Sequence, residues 1–481
     1  MAVSKKEKMK YLHFAVFVTI PFVFKLIPPV STITPYGMEI LGILLALLYG
    51  WITIGLLWPS LFGIVFLGLT EHWTMSSAVA GGLANSTVIL CIFSYLFAII
   101  IVKCGIANLL ASWFLTRRIF RKNPWFLVIG LFLSASLAAL LTMNTIAIMI
   151  IFGNVIAEIA KFSGYADDSK EITYLQLSII PVLITICNCF PFMVGVIWMG
   201  WFRGAGYVMA DSEYFISVLI QWAIATIMVI ASLKVVFRCN YKKLRLSDDL
   251  VKQLRDNIKV GRDEKIGIAV IIAAFFILFG GVFLGGKVGF FDWCNKIGLI
   301  GVTIILGAIL TNIRSERSGQ PLYTFEEGFH GVNWSIVWLL GVSFPVASAL
   351  SSAEAGVTDA VMGAVTPLLG GFSPTVFIII SFLLLGVLTQ FCHNVVLAIM
   401  FVGLLSDICV NLGGNPNLLF LCVYFALNHA SFATPAASMA SGQMFANGHT
   451  SAAAGYKFGI TYMLITFISI LIFMPIYSLL F

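Results

Sequence analysis

Apolar runs long enough to cross a bilayer recur from one end of the chain to the other, and no other feature limits the fold so severely. A helical span takes about 20 mostly apolar residues. Eleven stretches of the 481-residue sequence approach that: 11–27, 38–57, 60–69, 87–103, 173–200, 215–237, 266–284, 297–313, 334–349, 417–445 and 456–481. Hydrophobic residues make up 60% of the chain and charged ones 10%, against about 25% charged in soluble domains. A soluble chain of this size has no interior large enough to hide that much apolar surface. The sequence therefore predicts an all-α polytopic membrane protein. A cytosolic enzyme, a nucleic-acid binder, a secreted disulfide scaffold and a disordered linker are excluded.

The nine cysteines lie mostly inside apolar runs, among them Cys91, Cys187, Cys189, Cys392 and Cys422, with no CxxC spacing. They read as small hydrophobes rather than a metal or disulfide framework. No cofactor and no metal site is expected. The first apolar run follows Lys5-Lys6-Glu7-Lys8 and is succeeded by Ile27-Pro28-Pro29, with no small-x-small cleavage site, so it reads as a span, not a signal peptide.

Two further apolar runs, 125–160 and 374–408, are each wide enough for two half-length helices folded back at a polar middle. The basic residues decide how they lie. Lysine and arginine cluster at the N-terminus, at Arg117-Arg118 and Arg121-Lys122, through 238–265, and at Arg314 and Arg317; none occurs between Arg317 and Lys457. With these clusters inside, 125–160 enters and leaves on the cytoplasmic side, and 374–408 dips in from the outside. The expectation is eleven spans plus two opposed re-entrant hairpins, multi-pass in the cytoplasmic membrane, with the N-terminus inside and the C-terminus outside.

Opposed hairpins imply an inverted repeat. Residues 1–237 form the first half, with its hairpin and a broken span at 173–200; 238–265 is a basic cytoplasmic loop; 266–481 is the second half, with its hairpin and a broken span at 417–445. From Gly105-Ile106-Ala107 the first tip lies 39 residues on, at Asn144, and from Gly356-Val357-Thr358 the second lies 38 on, at Asn394. The broken spans carry polar and proline patches at Asn188-Cys189-Phe190-Pro191 and at His429 through Pro435. Backbone leaves a helix in hydrocarbon only where protein or a polar cavity surrounds it, and four interruptions at corresponding mid-membrane places are the layout of a secondary transporter. After each tip and each proline a half-helix begins. Each such N-terminus carries roughly half a positive charge and unpaired N–H donors, so four together balance a doubly charged anion. Asn144, Thr145, Pro191, Asn394, Thr434 and Pro435 are the candidate substrate contacts. Asn188, Cys189 and Ala433 flank the breaks as further candidates.

At these residues the chain resembles the divalent anion/sodium symporter (DASS, INDY-like) family of dicarboxylate transporters, which carries a Ser-Asn-Thr motif at each tip. Here the tips read Met143-Asn144-Thr145 and His393-Asn394-Val395. Ala433-Thr434-Pro435 is similar to the family's Ala-Thr-Pro, whereas Cys189-Phe190-Pro191 stands where a Gly-rich stretch would be expected. The resemblance implies that Asn144, Thr145, Asn394, Thr434 and Pro435 contact a dicarboxylate, that Val395 fills a contact position without a hydroxyl, and that the protein is a homodimer. It also implies sodium sites at the tips, but Met143 and His393 are poor ligands for a hard cation. His393 would then supply positive charge in place of the cation. The expected function is exchange of C4/C5 dicarboxylates (succinate, malate or 2-oxoglutarate type) by alternating access without sodium, its partners being those substrates and the lipid bilayer, with no nucleic acid. A sodium-coupled dicarboxylate symporter is the alternative. A cation/proton antiporter should show a midplane carboxylate, whereas Glu158 and Asp407 sit towards hairpin ends. A membrane enzyme would need an HExxH or Ser/His/Asp constellation that the sequence lacks.

Overall fold

The computed structural model describes residues 5–103, 113, 116–142, 145–166, 168–190, 195–249, 251–252, 261–316, 318–360, 363, 372–391, 394–434, 437–446 and 451–481. Among these there is no β-strand. Several of the apolar helices start at a residue whose side chain caps them. Thr34 accepts from the Gly37 N–H ahead of α2 (Pro35–Thr53). Ser373 does the same for α16 (Pro374–Leu388), and Asn415 for α18 (Pro416–His429), each with proline at the first helical position.

The chain opens with α1 (Lys5–Lys25), α2, α3 (Leu57–Gly68), α4 (Met75–Leu83) and α5 (Ser86–Lys103). The short α6 (Arg118–Arg121) leads into α7 (Pro124–Thr142) and α8 (Thr145–Ser163). Then come α9 (Lys170–Cys187), α10 (Gly195–Gly204) and α11 (Asp211–Val235). Beyond the basic segment lie α12 (Arg262–Leu284), α13 (Gly289–Thr311), α14 (Phe325–His330) and α15 (Trp334–Leu350). The chain ends with α16, α17 (Asn394–Asn411), α18, α19 (Met439–Ala446) and α20 (Ala452–Leu480).

Seven of these helices (α2, α5, α9, α11, α12, α13 and α20) are long and apolar enough to cross a membrane. Their outward faces are apolar too: on α20, Ile460, Leu464 and Ile468 follow one another at a spacing of four and are each about half exposed. A helix of a soluble protein puts polar residues there. Of the other expected spans, α3 has 12 residues and α15 has 17. The span expected at 417–445 is divided into α18 and α19.

One order of elements occurs twice. Two helices joined at a tip (α7–α8, then α16–α17) precede a third helix ending at a break (α9, α18), a short helix (α10, α19) and a long one (α11, α20). Both arms of each pair pack on the helix that follows, and α9 and α18 touch. Buried and half-buried polar contacts lock α11 to the second set. Gln221 Nε2 donates to Ser469 Oγ at 2.7 Å. Glu213 Oε1 accepts from Asn417 Nδ2 at 3.1 Å and from Tyr477 Oη at 2.5 Å. The helices α2, α3, α4 and α15 form a bundle beside this core, while α5, α12 and α13 enclose a second apolar cluster.

Candidate functional site

The second tip is a turn held shut by one amide side chain. After α16 ends at Leu388 the chain passes Thr389 and Gln390, both buried, and Phe391, which is exposed. Gln390 Nε2 donates to Gly386 O at 2.7 Å and to Ala430 O at 2.9 Å, and its Oε1 accepts from the Ala433 N–H at 2.9 Å. The Thr434 hydroxyl donates to the Gln390 carbonyl. On the far side of the turn, the Asn394 N–H donates to Ala437 O at 3.2 Å. The second tip and the second break are thus one hydrogen-bonded unit.

Within the break the serines take up backbone groups that the interrupted helix leaves unpaired. Ser438 Oγ donates to Ser431 O at 2.9 Å and accepts from the Ser441 N–H at 3.1 Å. Gly459 of α20 lies flat against this segment: a Cβ there would fall 2.1 Å from Phe432 O.

The first break is supported differently. Helix α9 ends at Cys187, and Asn188, Cys189 and Phe190 follow it, all buried. Tyr214 Oη of α11 donates to Asn188 O at 3.0 Å. Phe190 stacks on Phe215 with ring centres 5.8 Å apart and joins the cluster around α12. A Cβ on Gly195, the first residue of α10, would meet Phe190 O at 2.5 Å.

Of the sequence-derived candidates, the structure joins Asn394, Ala433 and Thr434 at the second unit and places Asn188 and Cys189 at the first break. Thr145 opens α8, and Val395 is the second residue of α17. Asn144, Pro191, His393 and Pro435 lie outside the described residues. The structure adds a detail about the donors. The first N–H of α17 is taken by Ala437 O, and the second, of Val395, donates to Asn394 Oδ1 at 2.9 Å. Only N–H groups further into that first turn remain for a ligand. Gln390 escaped the sequence reading, although it is a lone amide at the end of an otherwise apolar arm.

No described residue of the tips and breaks is charged. No group of three or more His, Cys, Asp or Glu that could hold a metal occurs among the described residues. A cavity of about 640 Å³ lies beside the site, where α10 and α17 face α2, α4 and α15; Trp73, Trp201, Phe344 and Asp407 line it, and none of the candidate contacts does. Asp407 Oδ1 accepts from Tyr207 Oη at 2.6 Å.

No protein-family model and no curated protein matches the sequence. Solved structures do match. The YdaH transporter of Alcanivorax borkumensis superposes with a TM-score of 0.57 over 92% of this chain and 98% of that one, at 10% identity. The two chains share a fold. Neisseria gonorrhoeae MtrF, described with a class of antimetabolite efflux pumps, gives a TM-score of 0.54 over 95% of this chain and 97% of its own, at 11% identity.

Proposed function

We propose that this chain is a secondary transporter of small dicarboxylates, built as eleven spans and two opposed re-entrant hairpins in the cytoplasmic membrane. The observation that carries the reading is the pairing of hairpin tip with helix break, held together at the second unit by Gln390 and Thr434. Four helices, α8, α10, α17 and α19, start at these interruptions. Their N-termini supply an equivalent of about two positive charges, the counterpart of a dianion. Asn144, Thr145 and Asn394 orient the carboxylates. Thr434, with its hydroxyl given to the tip, keeps the two helix starts in register.

On the resemblance to the divalent anion/sodium symporters, the protein is a homodimer whose hairpin-bearing core moves against a scaffold. The 640 Å³ gap between α17 and the α2–α4–α15 bundle supports this by leaving the core free of tight packing on that side. The sodium-poor tip chemistry favours exchange over symport, with His393 in the cation's place. Proteoliposomes test this. Labelled succinate should enter only vesicles preloaded with a dicarboxylate, with or without sodium; sodium-driven uptake into empty vesicles would establish the symporter instead. A second reading, export of an antimetabolite, draws on the fold shared with MtrF over 95% of the chain. Succinate that neither enters nor competes would favour it.

A further inference from the structure

A second cavity, of about 430 Å³, lies at the other end of the first hairpin. Its walls include Asn123 and Pro124 at the start of α7, Ser163 at the end of α8, and Lys242, Lys243 and Arg245 from the segment after α11. We infer that this cavity is a binding site for a phosphate-bearing anion, the headgroup of an anionic phospholipid or a soluble phosphate, and that its occupant braces the base of the first hairpin.

The site is built, not a loose basic tail. Tyr241 and Leu244 are 1% and 2% exposed and anchor the segment, with the Tyr241 ring edge-on to Trp125 at 5.2 Å. Tyr241 Oη donates to Glu171 O at 2.9 Å, and the Asn240 N–H donates to Glu171 Oε1 at 3.2 Å. Tyr165 Oη donates to Asn240 O at 2.7 Å. The Arg245 N–H donates to Ser163 Oγ at 3.0 Å, and the Arg245 guanidinium sits 5.3 Å over the Phe162 ring. The backbone is therefore fixed to α8 and α9 while three cationic side chains stand out from it.

Those three charges lie within four residues, no acidic side chain lines the cavity, and none of the three forms an ion pair among the described residues. Orienting inside a membrane needs lysines and arginines but no docked loop and no cavity. Mutual repulsion of three closely spaced cations is relieved by an anion with several acceptor oxygens, which phosphate supplies. The first turn of α7, a 19-residue helix, opens on the same space and adds its positive end. An occupant touching both ends of the hairpin and the loop after α11 ties three segments together. This inference does not depend on the identity of the transported substrate.

Thermal unfolding of the purified full-length protein in neutral detergent tests it. Phosphatidylglycerol is compared with phosphatidylcholine, and inorganic phosphate with chloride at matched ionic strength. The site predicts a saturable rise in Tm with phosphatidylglycerol, with phosphate, or with both. The lipid alone assigns the headgroup as ligand; phosphate alone assigns a soluble anion; both assign the phosphate group itself. Lys242→Gln/Lys243→Gln/Arg245→Gln should weaken the apparent affinity on the order of a hundredfold, while Lys287→Gln/Lys296→Gln leaves it unchanged. Should the triple variant fail to fold, Lys243→Glu alone should weaken it about thirtyfold. No selective rise over phosphatidylcholine and chloride, or the same rise in these cavity variants, overturns the proposal.

Discussion

At the second hairpin tip, Gln390 makes three hydrogen bonds to backbone in a place that water does not reach. Replacing it with Leu strands the Ala430 carbonyl and the Ala433 N–H, at about 1–3 kcal/mol for each buried group left unpaired. Gln390→Leu should therefore lower stability on the order of 3 kcal/mol in thermal or denaturant unfolding, and succinate binding should be lost with it. Gln390→Glu keeps the acceptor for Ala433 but turns a second oxygen on the Gly386 and Ala430 carbonyls in a buried place, so it should lose at least as much. An unchanged Tm in the Leu variant would contradict the stitch. Asn394 was legible in the sequence because a polar residue in the middle of an apolar run needs a reason. Gln390 was not, since the first half has leucine at the corresponding place (Leu140-Leu141) and offers no second copy to compare. Nor could sequence show that the first two N–H groups of α17 are already engaged, because their acceptors come partly from a segment 43 residues away. At Cys239, outside the spans, burial pushes the thiol up to about 11. As the thiolate is the reactive form, iodoacetamide at neutral pH should leave Cys239 unmodified in the folded protein while alkylating it after denaturation. Rapid modification of the native thiol would contradict its burial.

Among the elements, the breaks depend on close backbone approach. A Cβ on Gly459 would lie 2.1 Å from Phe432 O, so helix α20 could not keep its contact with the second break. Gly459→Ala should cost about 1–3 kcal/mol, the range for overpacking a fixed interior, whereas Gly153→Ala, with open space around it, should not destabilise. Equal Tm values for the two variants would show that α20 does not clamp the break. At the protein's edge, Lys103 Nζ lies 2.8 Å from Glu327 Oε1 with both side chains 45% exposed. The hydrogen bond and charge of Lys103 hold the Glu327 carboxyl below its ordinary range. A lowered carboxylate stabilises above its unfolded pKa, and that contribution fades as pH falls through the folded value. Because the pair is screened by water, Lys103→Gln should change stability by less than about 1 kcal/mol at neutral pH. The difference should vanish in acid, and one that grew there would reverse the sign. Helices α7, α9, α16 and α18 end in the apolar runs that carry the polar and proline patches. Helix lengths were less legible in the sequence: the stretch expected at 60–69 is a 12-residue helix starting at Leu57, because Pro59 fits within the first turn.

For the whole molecule, the twice-repeated order of paired arms, third helix, break, short helix and long helix gives the chain two matching half-units, and α9 touching α18 brings them together. The all-helical fold was legible because span-length apolar runs leave no other option in a bilayer. The close packing of Phe190 against the α12 cluster was not, since it joins residues about 85 positions apart through side-chain fit alone. The proposed transport depends on a dianion being neutralised by helix ends instead of by lysine or arginine. Binding of succinate and of its monomethyl ester, measured by calorimetry on the wild type and on Asn144→Ala and Asn394→Ala, tests that most directly. Saturable binding of succinate by the wild type alone, with the monoanionic ester weaker by at least about tenfold, is the predicted result. Equal affinity for the two ligands, or succinate binding retained in both variants, would contradict it.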